Sequence, residues 1–103
     1  MRYQLVLQFR GDTLADYDAM IALEDRLIAD LGNTAKVDGH DCGSGETNIF
    51  IFTSDPELTF WRVRQTLKST GQLQAVTAAY REVNGEQFTT LWPEHSRDKF
   101  RVA

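Results

Sequence analysis

Thr47-Asn48-Ile49-Phe50-Ile51-Phe52-Thr53 is the stretch that decides the fold. In an extended chain successive side chains point to opposite faces, so Ile49 and Ile51 lie on one side and Phe50 and Phe52 on the other. A strand that is apolar on both sides belongs in the interior of a sheet. Immediately downstream, Ser54-Asp55-Pro56-Glu57 reads as a helix start, with a capping residue and a proline in the first turn. That helix runs to about Thr70 and stops at Gly71. Upstream, residues 39–45 hold Gly39, Gly43 and Gly45, which predicts a loop or hairpin turn. Thr34 to Asp38 precedes it as a short, weaker strand.

Residues 2–9 alternate cleanly, with Tyr3, Leu5, Leu7 and Phe9 on one face and Arg2, Gln4, Val6 and Gln8 on the other. This predicts a strand with one buried face. Gly11-Asp12 turns the chain, and Thr13 with Asp16 resembles a capping box. A helix is predicted from Leu14 to Leu31, closed by Gly32-Asn33. Its apolar stripe reads Leu14, Tyr17, Ile21, Ile28 and Leu31, flanked by Met20 and Leu27. After the second helix, Ala75 to Val83 and Glu86 to Trp92 flank Asn84-Gly85, a signal for a two-residue hairpin turn. Pro93 ends the last strand. Residues 94–103 read as a charged, mobile tail. The order β-α-β-β-α-β plus one strand predicts an α+β, ferredoxin-like βαββαβ plait over residues 1–93 with an added C-terminal hairpin strand. Both helices are expected on one face of the sheet. Right-handed crossovers are read as placing strands one and three side by side and parallel.

A chain of 103 residues is one domain and buries very roughly two-thirds of its unfolded surface. It therefore needs no metal or disulfide to hold a core, and its single cysteine, Cys42, excludes an intrachain disulfide. No apolar run approaches the ~20 residues needed to cross a membrane. Met1 to Phe9 lacks the pattern of a signal peptide, so a cytoplasmic location is expected. Fifteen acidic residues outnumber eleven basic ones, for a formal charge of −4. That balance and the scatter of the basic residues argue against a nucleic-acid partner.

Gly39 to Pro56, G-H-D-C-G-S-G-E-T-N-I-F-I-F-T-S-D-P, resembles a group of small bacterial proteins of unassigned function. These read approximately G-H-D-x-G-S-G-E-x-N-I-F-I followed by T-x-D-P. The resemblance extends from the first strand to Trp92-Pro93. It marks a family and implies no catalytic role for any residue. Position 42 is loose in the pattern, which weighs against Cys42 as an essential nucleophile.

Four side chains, Asp38, His40, Asp41 and Glu46, are candidates to bind a ligand or a divalent cation, since oxygen and imidazole ligands fall within nine residues. Their spacing matches no calcium hand or zinc ribbon. The structural alternative is a turn in which aspartates bind nearby backbone amides. His40 and Cys42, two apart, would share a face of an extended segment, with Asp38 or Asp41 to orient the imidazole; a bystander thiol is the alternative. Gly43-Ser44-Gly45 is no phosphate cradle, because a strand follows it and Glu46 would repel an anion. Glu24 sits within the first helix's apolar stripe. It either reaches solvent or an arginine at the stripe's edge, or is a functional carboxylate set into the core.

On the second helix Phe60, Val63 and Leu67 form the core stripe, while Leu58 and Trp61 project away from it beside Gln65, Arg62 and Lys68. An exposed tryptophan next to a leucine has the composition of an interface hot spot. Cover by Phe100 and Val102 of the tail is the alternative. The sheet's second face reads as partly apolar, so a homodimer through it fits by fold analogy. The sequence thus points to a small interaction module without a cofactor, an immunity-like protein masking a toxin being one version. The rival is an enzyme or small-ligand binder using the 38–46 segment, with His40 as acid or base, Asp41 orienting it and Glu46 as second carboxylate or ligand.

Overall fold

The computed structural model describes residues 1–11, 17–43, 45–96 and 99–102. The elements run β1 (Tyr3–Arg10), α1 (Tyr17–Leu31), β2 (Ala35–Gly43), β3 (Glu46–Thr53), α2 (Pro56–Ser69), β4 (Val76–Glu82) and β5 (Thr89–Trp92). Short 3-10 turns at Gly32–Thr34 and Leu73–Ala75 lead into β2 and β4. The sheet order is β2-β3-β1-β4-β5, and every neighbouring pair is antiparallel. This is the ferredoxin-like plait with an extra edge strand. No helix among the described residues is long and apolar enough to cross a membrane.

The Ile-Phe-Ile-Phe strand is interior, with β2 on one side and β1 on the other. Its two isoleucines are fully buried under the helices, and Phe50 and Phe52 are half-buried on the opposite face. Strands one and three are indeed adjacent, but they run antiparallel rather than parallel. The reason is topological. Each helix crossover joins two parallel strands, β1 to β2 and β3 to β4, and the tight β2–β3 hairpin reverses direction between them. β3 slots between β1 and β2, so it opposes both.

The main core lies between the sheet and the helices. Leu5, Leu7, Phe9, Ile49, Ile51, Val76 and Ala78 meet Met20, Leu23, Leu27 and Leu31 of α1 and Phe60, Val63 and Leu67 of α2. The buried face of α1 is rotated from the expected stripe: Tyr17 and Ile28 are exposed and Leu23 is buried. Met20, Leu23, Leu27 and Leu31 repeat at three and four residues and present a broader apolar ridge to the sheet. Leu14 and the Thr13–Asp16 capping box lie outside the described residues.

Helix α2 follows its sequence signals closely. The Asp55 carboxylate accepts from the Leu58 amide at 3.1 Å, and Pro56 fills the first position. At the other end the Gln72 amide donates to the Leu67 carbonyl and the Gly71 amide to that of Lys68, with Gly71 at φ 74°. That is a Schellman close, which requires the left-handed residue that glycine supplies.

Three expectations about chain direction are corrected. Residues 39–43 are strand, not loop: β2 continues to Gly43 and pairs with β3 down to Glu46. The β4–β5 connection is longer than a two-residue Asn-Gly turn, because pairing begins only at Tyr80–Thr89. Arg81 holds that loop by donating from Nη1 to the carbonyls of Glu82, Val83 and Gly85. The C-terminal segment is not a free tail. Phe100 is 7% exposed and packs with Val6 and Ala79, joined by Phe50, Phe88 and Val102, on the face of the sheet away from the helices. Burying this second apolar face is what makes β1 inaccessible on both sides, from Leu5 to Phe9.

Candidate functional site

Alternation along β2 divides the residues that the sequence groups together. Gly39, at φ 149°, follows a register shift between Val37 and Gly39, so Asp38 is the extra residue of a bulge and is exposed. Beyond it His40 pairs with Ile49 and Cys42 with Thr47, on the helix side. Asp41 pairs with Asn48 and Gly43 with Glu46, on the other side. His40 and Glu46 are therefore separated by the thickness of the sheet. Asp38, His40, Asp41 and Glu46 do not converge, and no group of three or more metal-ligating side chains exists among the described residues.

His40 instead meets Glu24. Its Nδ1 lies 2.8 Å from Oε1 of Glu24, whose residue is 8% exposed. A carboxylate without a proton can only accept, so this contact suits the tautomer in which the imidazole donates from Nδ1. The Tyr17 ring stands edge-on to the imidazole at 5.8 Å. Glu24 thus faces the core stripe yet avoids an unpaired charge by reaching the edge strand. Its partner among the described residues is this histidine and not an arginine. Cys42 is exposed and makes no hydrogen bond to His40 among the described residues, and neither Asp38 nor Asp41 orients the ring. The pair consequently ties α1 to β2, with no nucleophile hydrogen-bonded to it among the described residues.

Glu46 belongs to a different cluster, under the C-terminal segment. Gln8 Nε2 donates to Glu46 Oε2 at 3.0 Å, to Asn48 Oδ1 at 3.1 Å and to the Arg101 carbonyl at 2.7 Å. Asn48 Nδ2 also donates to Glu46 Oε2, at 2.9 Å. Gln8 and Asn48 are each 1% exposed. Three acceptors around one amide nitrogen fix its orientation, and leave Gln8 Oε1 buried without a partner among the described residues. The cluster fastens residue 101 to the sheet. Glu46 serves that fastening rather than a site shared with His40.

The third region is the outer surface between the helices. Trp61 is 58% exposed and Leu58 49%, and the C-terminal segment that could have covered them lies on the opposite face of the sheet. Trp61 and Gln65 rim a groove of about 430 Å³, completed by Arg62, Thr66 and Ser69 of α2 and by Arg26 and Asp30 of α1. Its floor is a hydrogen-bonded bridge between the helices. Thr66 Oγ1 donates to Asp30 Oδ2 at 2.6 Å, Arg26 Nε donates to the same oxygen at 3.1 Å, and Arg26 Nη2 reaches Ser69 Oγ at 3.4 Å. The Thr66 hydroxyl holds the Asp30 carboxyl below its ordinary range; loss of water opposes this and the nearby Arg26 charge assists it. Arg62, half-buried beside Trp61, has no ion-pair partner among the described residues. By contrast, Arg64 is used up within the fold, stacked 4.7 Å from the Trp92 ring and paired with Glu94.

Helical spacing alone aims Trp61 and Gln65 of this groove, and the neighbouring Leu58, away from the core. Sequence reasoning also set Arg62 beside Trp61, and it missed Arg26, Asp30, Thr66 and Ser69. Only Arg26 and Asp30 carried a readable signal, the i,i+4 spacing of an ion pair. Comparisons of the chain with protein-family models, curated proteins and solved structures gave no match.

Proposed function

We propose that this chain is a small interaction module of the bacterial cytoplasm that engages a protein partner through the outer surface of α2. One observation carries the reading: Trp61 and Leu58 stand more than and almost half exposed beside a groove, while the chain's own apolar C-terminal segment covers a different face. Large apolar side chains exposed on one helix and uncovered by the chain itself are what an interface core requires. Hydrogen bonds to Asp30 tie the two helices together across the groove, which provides a preorganised surface rather than an adaptable one. Self-association through the second sheet face has less to offer, since Phe100 and Val102 already occupy it.

The enzymatic alternative rests on Glu24 and His40. An imidazole held by a carboxylate can move protons. Asp41 and Glu46, the groups it would need as orienting and second carboxylates, project from the other side of the sheet.

The test is affinity capture from the native host with the wild-type chain and with a Leu58→Ala, Trp61→Ala variant. A protein recovered in stoichiometric amount by the first and lost by the second supports the reading. Recovery that ignores the variant, or none at all from a clean monomer, sinks it.

A further inference from the structure

We infer that the groove between α1 and α2 takes an acidic peptide segment, one that presents a carboxylate next to an apolar side chain. This inference rests on the proposed helical-face module and names the chemistry of its partner. Within the groove Asp30 Oδ2 accepts from Thr66 and Arg26, and the Asp30 and Arg26 charges offset each other. Arg62 is left over: half-buried, without an ion-pair partner among the described residues, and next in sequence to the exposed Trp61. The groove therefore carries a local positive charge within a chain whose formal charge is −4. A guanidinium partly withdrawn from water has lost hydration that a carboxylate restores with two parallel hydrogen bonds. The indole of Trp61 and the side chain of Leu58 supply the adjoining apolar contact. A nucleic acid would meet the same arginine, but one unpaired cation cannot offset the repulsion between a polyanion and a net acidic protein.

The experiment selects short random peptides on the intact chain and measures each enriched peptide against wild type, Trp61→Ala, Arg62→Lys and Arg62→Glu. Far-UV circular dichroism and melting check that the variants stay folded. The expected peptides carry Asp or Glu close to a large apolar residue. Their affinity falls at least about tenfold with Arg62→Glu, less with Arg62→Lys, and declines with added salt. Peptides that are neutral or basic, or that lose binding with Trp61→Ala but not with Arg62→Glu, overturn the acidic ligand while leaving the helical-face module in place. Binding indifferent to both positions, or enrichment of nothing, overturns both. Single-stranded oligonucleotide binding that depends on Arg62, tested alongside, overturns the choice of a peptide.

Discussion

Replacing Phe100 with alanine tests whether the last residues belong to the domain. Phe100 is 7% exposed and forms the centre of the second cluster with Val6 and Ala79. Burying a phenylalanine side chain contributes about 1.5–3 kcal/mol, and truncating one in a fully enclosed core costs about 3–5 kcal/mol. Here the loss has a ceiling. The segment can undock while the rest stays folded, so truncation cannot cost more than docking contributes. The Gln8 contact to the Arg101 carbonyl adds a further hydrogen bond of about 1 kcal/mol to that docking. A loss of about 2 kcal/mol follows, near the lower part of the burial range. For a domain of this size it lowers Tm by about 8–12 °C. With an m-value of about 2 kcal/mol/M it shifts the urea midpoint by about 1 M. The assay is urea and thermal unfolding of Phe100→Ala beside Trp61→Ala, whose exposed side chain should move stability by no more than about 0.5 kcal/mol. Equal midpoints for Phe100→Ala and wild type would refute the docked segment, and with it the claim that the second sheet face is closed.

Other consequences concern the remaining sites. His40→Ala strands the Glu24 carboxylate near the core, so the double variant Glu24→Leu, His40→Ala should be more stable than His40→Ala alone; the reverse order in urea unfolding shows that the contact does not form. The folded pKa of Asp30 is depressed, so its contribution is fully present above the ordinary carboxylate range and disappears as pH falls through the folded value. The stability gap between wild type and Thr66→Val should accordingly be present at neutral pH and close in strong acid, which melting across that range measures. Gly39→Ala meets no atom within 4 Å, so only its backbone at φ 149° resists it, and calorimetry should read a loss of about 1–2 kcal/mol. A neutral result there means that β2 does not carry the bulge.

Local information in the sequence was sufficient wherever one element settled the question. The period of two in Tyr3–Phe9, the doubly apolar Ile49–Phe52, the Asp55-Pro56 start and Gly71 stop each depend on neighbours a few residues away. Those signals set the order of elements, and the order leaves few topologies open. They also aimed Leu58 and Trp61 outward, because the core stripe of a helix dictates what its other face must show. The tertiary structure decided matters that depend on distant partners. Glycines 39 and 43 read as a loop, yet β3 supplies a hydrogen-bonding edge that carries β2 to Gly43. That extension sorts His40 and Glu46 to opposite faces, and local composition carries no trace of it. Glu24 finds a histidine sixteen residues away, and the C-terminal segment finds a sheet face formed by strands that are far off in sequence. Such pairings arise from burial and polar satisfaction across the whole fold, quantities that a window of sequence does not contain.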